Sequence, residues 1–248
     1  MRYLVVVLLS LLVLSCKNPE EPKKLNAIQS VEIESIYEDS VSVRALEILD
    51  DGSVAFAGSN GKYGLYNPSS KVWNTAVMKR DSLTPNFRAV AHTAEDFFML
   101  SIESPALLYK TGDSGAMELV YEEADPKAFY DAMTFWNDQE GIAMGDPTES
   151  CISIIITRDG GKTWTKVSCD NLPEAAEGEA AFAASNTNIA VYGNNAWIIT
   201  GGMKSRVLHT GDKGKTWEVF ETPLNQGTPT SGGYSIDFYD ENLGVIIG

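Results

Sequence analysis

Histidine is nearly absent from this chain, with His92 and His209 the only two in 248 residues. Cysteine is almost as scarce, at three, so a zinc site of three or four nitrogen and sulfur ligands has nothing to be assembled from and no metal is expected. Basic residues are outnumbered, 19 against 34 acids, for a formal charge of −15. That deficit excludes a phosphate-backbone partner, which needs clustered lysine and arginine, so no nucleic acid is expected. A glycine-rich turn between a strand and a helix is missing too, which removes the dinucleotides, and no other cofactor is expected; Gly58 to Gly64 reads as a strand turn. No segment carries a helical period, and no nucleophile stands at a readable spacing from a base. The longest apolar run, Leu4 to Leu14, falls short of the roughly 20 residues that span a bilayer.

What the chain does have is enough apolar material for a core, 44% of it hydrophobic, and a hairpin used more than once. Thr157 to Trp164 reads Thr-Arg-Asp-Gly-Gly-Lys-Thr-Trp, between the apolar run Ile152 to Ile156 and the run Trp164 to Val167. An Asp-Gly pair so flanked predicts a tight hairpin, because two-residue hairpin turns need positive φ. The wording returns as Thr-Gly-Asp-Lys-Gly-Lys-Thr-Trp at Thr210 to Trp217, in half at Thr111 to Gly115, and worn at Tyr66 to Trp73. A second unit, small residue then large, recurs from Ala45, Ala89, Ala132, Ala181 and Ser235 and leads into strands closed by glycine, such as Gly141 to Gly145 and Gly244 to Gly248. A period of about 43 to 54 residues holding four strands is the pattern of propeller blades. The expected fold is all-β, a β-propeller of four-stranded blades, with blades at 42–84, 85–127, 128–173 and 176–226 and a fifth begun at Thr230. A β-sandwich of hairpins is the other architecture, but it requires no motif at this period. Gln29 to Tyr37 alternates like an outer strand closing a ring, so the chain is expected to cover about four and a half of six or seven blades.

Written as Thr-x-Asp-x-Gly-x-Thr-Trp, the hairpin resembles the Asp-box, or BNR repeat, of sialidase-like β-propellers. The resemblance implies an architectural role for Thr157, Asp159, Gly161, Thr163 and Trp164 and for Thr210, Asp212, Gly214, Thr216 and Trp217. Gly145-Asp146-Pro147 and the stretch Gly178 to Asn186 resemble wording of exported bacterial Asp-box propellers. At the N-terminus, Arg2 and the apolar run suit a signal peptide over 1–15, and Leu14-Ser15-Cys16 resembles a bacterial lipobox. That implies lipidation of Cys16, a membrane partner through that anchor, and a place on the outer membrane or cell surface. Residues 16–27, charged and proline-bearing, read as a tether, and 28–248 as the propeller.

Cys151 and Cys169 sit on the strands flanking the hairpin. If Thr157 pairs with Trp164, they fall opposite each other or one residue out of register, which leaves a cross-strand disulfide or two buried thiols. The residues just before each small-large pair are Arg44, Arg88, Asp131, Ala180 and Tyr234. Of these Arg44, Arg88, Asp131 and Tyr234, converging on one axis, suit an anionic or sugar-like ligand, arginine offering bidentate recognition of a carboxylate. The alternative is that they are rim charges neutralised by Asp131 and Glu179. Phe87-Arg88-Ala89-Val90 stands where a sialidase carries its Phe/Tyr-Arg-Ile-Pro signature, with the second half missing. A glycosidase needs paired carboxylates, for which Asp131, Asp146 and Glu179 are candidates. Trp136, Tyr192, Trp197 and Tyr239 read as blade packing. Two function classes follow. The first is a lipid-anchored, non-catalytic binding propeller for a protein or glycan, resembling the photosystem II stability/assembly factors and the sortilin ectodomain; the second is a hydrolase of extracellular carbohydrate.

Overall fold

The computed structural model describes residues 29–32, 38–112 and 115–248. Residues 1–28, with Cys16, the signal peptide and the tether, lie outside them, as do 33–37 of the N-terminal strand expectation. The chain divides into Met1–Glu38 and Asp39–Gly248. In the first unit, 29–32 are exposed and in no strand.

The second unit is all-β, without an α-helix among the described residues. β1 (Val43–Ile48), β2 (Val54–Gly58), β3 (Lys62–Asn67) and β4 (Val72–Val77) form one antiparallel sheet in chain order. β5 (Phe87–His92), β6 (Phe97–Ser101), β7 (Ala106–Thr111) and β8 (Met117–Glu123) form the second. The third holds β9 (Tyr130–Asn137), β10 (Glu140–Gly145), β11 (Ser153–Thr157) and β12 (Thr165–Lys166). After β13 (Glu179–Ala180), β14 (Ile189–Tyr192) opens a fourth sheet with β15 (Asn195–Ile199), then β16 (Gly201–Gly202) intervenes before β17 (Arg206–Thr210) and β18 (Glu218–Glu221) complete it. β13 pairs with β16 apart from that sheet, and β19 (Ser235–Phe238) pairs with β20 (Gly244–Ile247). First strands pack side by side in chain order, β1 on β5, β5 on β9, β9 on β14 and β14 on β19, which is the arrangement of blades around an axis.

Both faces of the middle sheets are covered, so their second and third strands are continuous apolar runs without in-out alternation. One core lies between the second and third sheets, around Phe98, Leu108, Tyr130, Met133 and Trp164. The next lies between the third and fourth, around Ile142, Met144, Ile154, Ile198 and Leu208, with Trp217 against it.

The Asp-box turns are built alike, and each is longer than the two-residue turn the Asp-Gly pair suggested. Each places two residues in the left-handed region, Gly160 and Gly161 in one and Lys213 and Gly214 in the other, within a longer loop that the threonine and aspartate side chains hold. Thr157 Oγ1 donates to Asp159 Oδ1 (2.9 Å) and accepts from the Gly161 N–H (2.9 Å). Asp159 then accepts from the Thr163 N–H (2.9 Å) and hydroxyl (2.7 Å). Asp212 makes the same bonds to Thr210 (2.9 Å) and to the Thr216 N–H (2.9 Å) and hydroxyl (2.7 Å). The Thr216 hydroxyl, then its amide, bring the Asp212 carboxyl down to about 2. Each turn sits on the previous blade: a Cβ on Gly161 would lie 2.2 Å from Phe98, and one on Gly214 2.5 Å from Ile156.

Three local expectations change. Ala181 to Asn186 is not the first strand of the fourth blade; β14 takes that place, because the backbone of 181–186 is engaged elsewhere, as described below. Cys151 and Cys169 flank the hairpin strands without belonging to them: Cys151 bridges Glu174 and Cys169 opens a 3-10 turn. The two are joined by a disulfide, Cα–Cα 5.5 Å, whose closed loop contributes ~3 kcal/mol in the chain-entropy treatment. Of the aromatics, Trp197 stacks on Phe238 of the next sheet (3.7 Å between centroids) and Trp136 donates to the Asn195 carbonyl (2.9 Å). Tyr239, by contrast, is 83% exposed, and Tyr192 is exposed as well.

Candidate functional site

Arg44, Arg88 and Asp131 occupy one structural position in three successive blades. Each is the extra residue of a bulge near the start of the first strand, where the register slips between Val43 and Ala45, Phe87 and Ala89, and Tyr130 and Ala132. Such a bulge re-aims its side chain out of the ladder. Ala180 and Tyr234 do not share the position. Ala180 pairs with Gly201 in β13, and Tyr234 stacks on Phe182 (4.2 Å, 14°) while its hydroxyl donates to the Thr230 carbonyl (2.8 Å).

The two arginines lie in each other's field. Burial lowers the Arg88 pKa first and the charge of Arg44 lowers it further, against the weaker opposing charge of Glu103. Arg88 donates to the Ala183 carbonyl (3.4 Å) and the Asn86 side chain (3.4 Å), and Arg44 to the Ser42 hydroxyl (3.2 Å). Among the described residues neither has an ion-pair partner within 4 Å. Beside Arg44 a cavity of about 340 Å3 opens between β1, β9 and the segment before β14, with Glu47, Thr134, Ser185, Asn186 and Thr187 on its walls. Asn186 fixes that segment: its amide donates to the carbonyls of Val90 (2.6 Å) and Met133 (3.2 Å), and its oxygen accepts from the Met133 N–H (2.9 Å). One side chain thus ties the second and third blades together at the axis.

The three carboxylates proposed for catalysis have separate fates. Glu179 is buried and saturated: Thr200 Oγ1 (2.6 Å) and Arg206 Nε (3.1 Å) donate to Oε1, and the Ala176 N–H (2.8 Å) and Arg206 Nη2 to Oε2. Its charge therefore balances Arg206, and not Arg44 or Arg88 as the rim-charge alternative required. Asp131 has no solvent exposure, and neither carboxylate oxygen makes a well-formed hydrogen bond. Burial, then the nearby charge of Asp146, drive its pKa well up, against a partial contribution from the Ala183 amide. Asp146 is raised by burial as well, opposed by the Ala181 N–H, which donates to Oδ1 at 2.8 Å. It opens on a groove of about 510 Å3 shared with Lys127, Glu149, Glu174 and Glu177. The histidines are engaged too, His92 with Glu47 (2.8 Å) and His209 with Asn195 (2.9 Å). Arg206 and Asn186 are the two positions that sequence reasoning missed. Asn186 ended a quoted stretch, whereas nothing in the spacing marks Arg206 as the partner of Glu179.

Compared with known proteins, residues 118–234 match the family model described as photosynthesis system II assembly factor YCF48. No curated protein matches the chain. Among solved structures, YCF48 bound to D1 peptide aligns at 12% identity and a TM-score of 0.43, covering 84% of this chain and 91% of that one. A structure of U3-55K aligns at 11% identity and 0.58, covering 85% and 59%. Virginiamycin B lyase from Staphylococcus aureus aligns at 10% identity and 0.51, covering 83% and 62%. The chain thus spans about three fifths of the last two. It carries a BNR-type, propeller-like fold resembling that of the photosystem II assembly factor.

Asp131 yields a pH prediction. A carboxyl raised in the fold contributes stability that is complete below the unfolded value, ~4, and is lost as pH climbs through the folded value. Asp131→Asn is expected to flatten the stability curve above pH ~4 and to leave the chain more stable than the wild type at neutral pH. Urea melts across pH measure this, and parallel curves for the two proteins would contradict it.

Proposed function

We propose that this chain is a non-catalytic, protein-binding propeller whose axial mouth takes a carboxylate of a partner protein's segment through Arg44 and Arg88. The observation that carries the reading is the mismatch of charges. Two neighbouring guanidiniums lack ion-pair partners among the described residues, while the acids a hydrolase would use are committed to the fold. Glycoside hydrolysis needs two carboxyl groups flanking the scissile bond. Here Glu179 is saturated by Arg206 and Asp131 is enclosed, so of the three candidates only Asp146 is left uncommitted on the groove, beside Glu149, Glu174 and Glu177. The match over 118–234 supports the same side, since an assembly factor works on other proteins. Arginine suits the task because its planar fork meets a carboxylate in two parallel bonds.

Peptides with a free C-terminal carboxylate or acidic side chains, titrated against the full chain beside amidated and Asn/Gln counterparts, test this. The acidic forms are expected to bind, less tightly at high salt, and at least tenfold more weakly to Arg44→Ala or Arg88→Ala, a loss of ~1.4 kcal/mol or more. Equal binding of amidated peptides, or hydrolysis of a glycoside that disappears in Asp146→Asn, would overturn it.

The same reading places the propeller on a bacterial envelope membrane through lipid on Cys16. The apolar run before Leu14-Ser15-Cys16 and the charged tether after it support that placement. A fatty-acid label should enter the wild type and not Cys16→Ser, which should leave the membrane fraction; label or membrane retention in the variant would contradict it.

A further inference from the structure

The first and second blades are separated by a cleft of about 590 Å3, away from the arginine mouth and lined mainly by apolar atoms. Its cause is visible in the two interfaces that follow. Continuing the ladder register places Trp164 opposite Thr157 and Trp217 opposite Thr210, the opening threonines of their boxes. Trp164 then fills the gap to the previous blade, 6.4 Å from Phe98 and 5.7 Å from Phe135 between centroids. In the second blade the corresponding threonine, Thr111, pairs with Met117, so the indole is replaced by a thioether.

The receiving blade is truncated as well. Ala45 pairs with Ala57 as Ala89 pairs with Leu100, so two residues back along the second strand Ala55 stands where the next blade has Phe98. Both halves of the plug are therefore small at this one interface. What remains is a slot between Ala55, Leu65 and Ala76 on one side and His92, Phe97 and Met117 on the other. Its rim carries the exposed acids Asp50, Asp51 and Glu95, and no lysine or arginine lines it among the described residues.

We propose that this cleft is a second binding site, which takes an aromatic side chain, best an indole, from a basic segment of a partner protein. The neighbouring interfaces show what shape completes such a gap, namely a tryptophan entering from the box end. The rim selects the flanking charge, since exposed acids favour lysine and arginine on either side of the anchor. A buried aromatic anchor with a charged surround is a common form of interface hot spot. The site is independent of the arginine mouth, which selects the opposite charge.

A fluorescein-labelled Lys-Lys-Trp-Lys-Lys peptide, titrated against the full chain by anisotropy, tests it beside versions with alanine for tryptophan and with glutamate for lysine. The tryptophan–lysine peptide is expected to bind at least tenfold more tightly than either. Met117→Trp restores the resident indole and Ala55→Phe restores its seat, so each is expected to weaken that peptide at least tenfold while the chain keeps a cooperative melt. Ala55→Phe approaches from the opposite wall and decides the matter if Met117→Trp does not fold. Equal binding of the alanine peptide, or undiminished binding to a folded variant of either kind, would overturn the proposal.

Discussion

Gly161 rests against the ring of Phe98 on the blade before it, and the indole of Trp164 closes the gap beside them. A four-stranded sheet of this composition has two apolar faces and cannot bury either alone; it needs a neighbour on each side. The box hairpin supplies the join. Its threonine and aspartate take up backbone amides of the turn, so that the turn can be pressed onto an apolar surface, and the box donors left without a partner are the buried indole N–H groups of Trp164 and Trp217. Where the join is complete, as at Gly161 on Phe98 and Gly214 on Ile156, the interface is solid. Where Met117 and Ala55 replace the aromatic pair, the same geometry leaves a slot.

Sequence reading reached the parts of this fold that repeat locally. The boxes, the period and the antiparallel order of the first three blades follow from residues a few positions apart. Aligning the repeats even brought Arg44, Arg88 and Asp131 to one structural position, since the bulge that holds them recurs with the strand. The fourth blade was misjudged at Ala181 to Asn186 because small-large alternation cannot report where a backbone's hydrogen bonds go. Here the Ala181 amide is spent on Asp146, the Ala183 carbonyl on Arg88, and Asn186 inserts between two earlier strands. The Glu179–Arg206 pair was illegible for a different reason: its partners come from separate sheets, and no spacing rule links them.

Charge divides the molecule by role. Most acids among the described residues are solvated surface, but Glu179, Asp131 and Asp146 lie inward, and their environments fit holding the loop between the third and fourth blades better than attacking a substrate. The unmatched cations sit instead at the axis, and the apolar vacancy sits under an acidic rim between the first two blades. A binding module with two unlike mouths fits those features without asking the buried carboxylates for chemistry.

The seating of the box turn on its neighbour can be isolated by two glycines that share a backbone conformation. Gly161 has φ +78 and Gly52 φ +79, but a Cβ at Gly161 meets Phe98 at 2.2 Å whereas one at Gly52 meets nothing within 4 Å. Alanine at either position costs ~1–2 kcal/mol for the left-handed backbone. Chemical denaturation should show Gly161→Ala costing about 1 to 3 kcal/mol more than Gly52→Ala, the penalty of forcing the blades apart. Equal losses for the two variants would contradict an interface held by that contact.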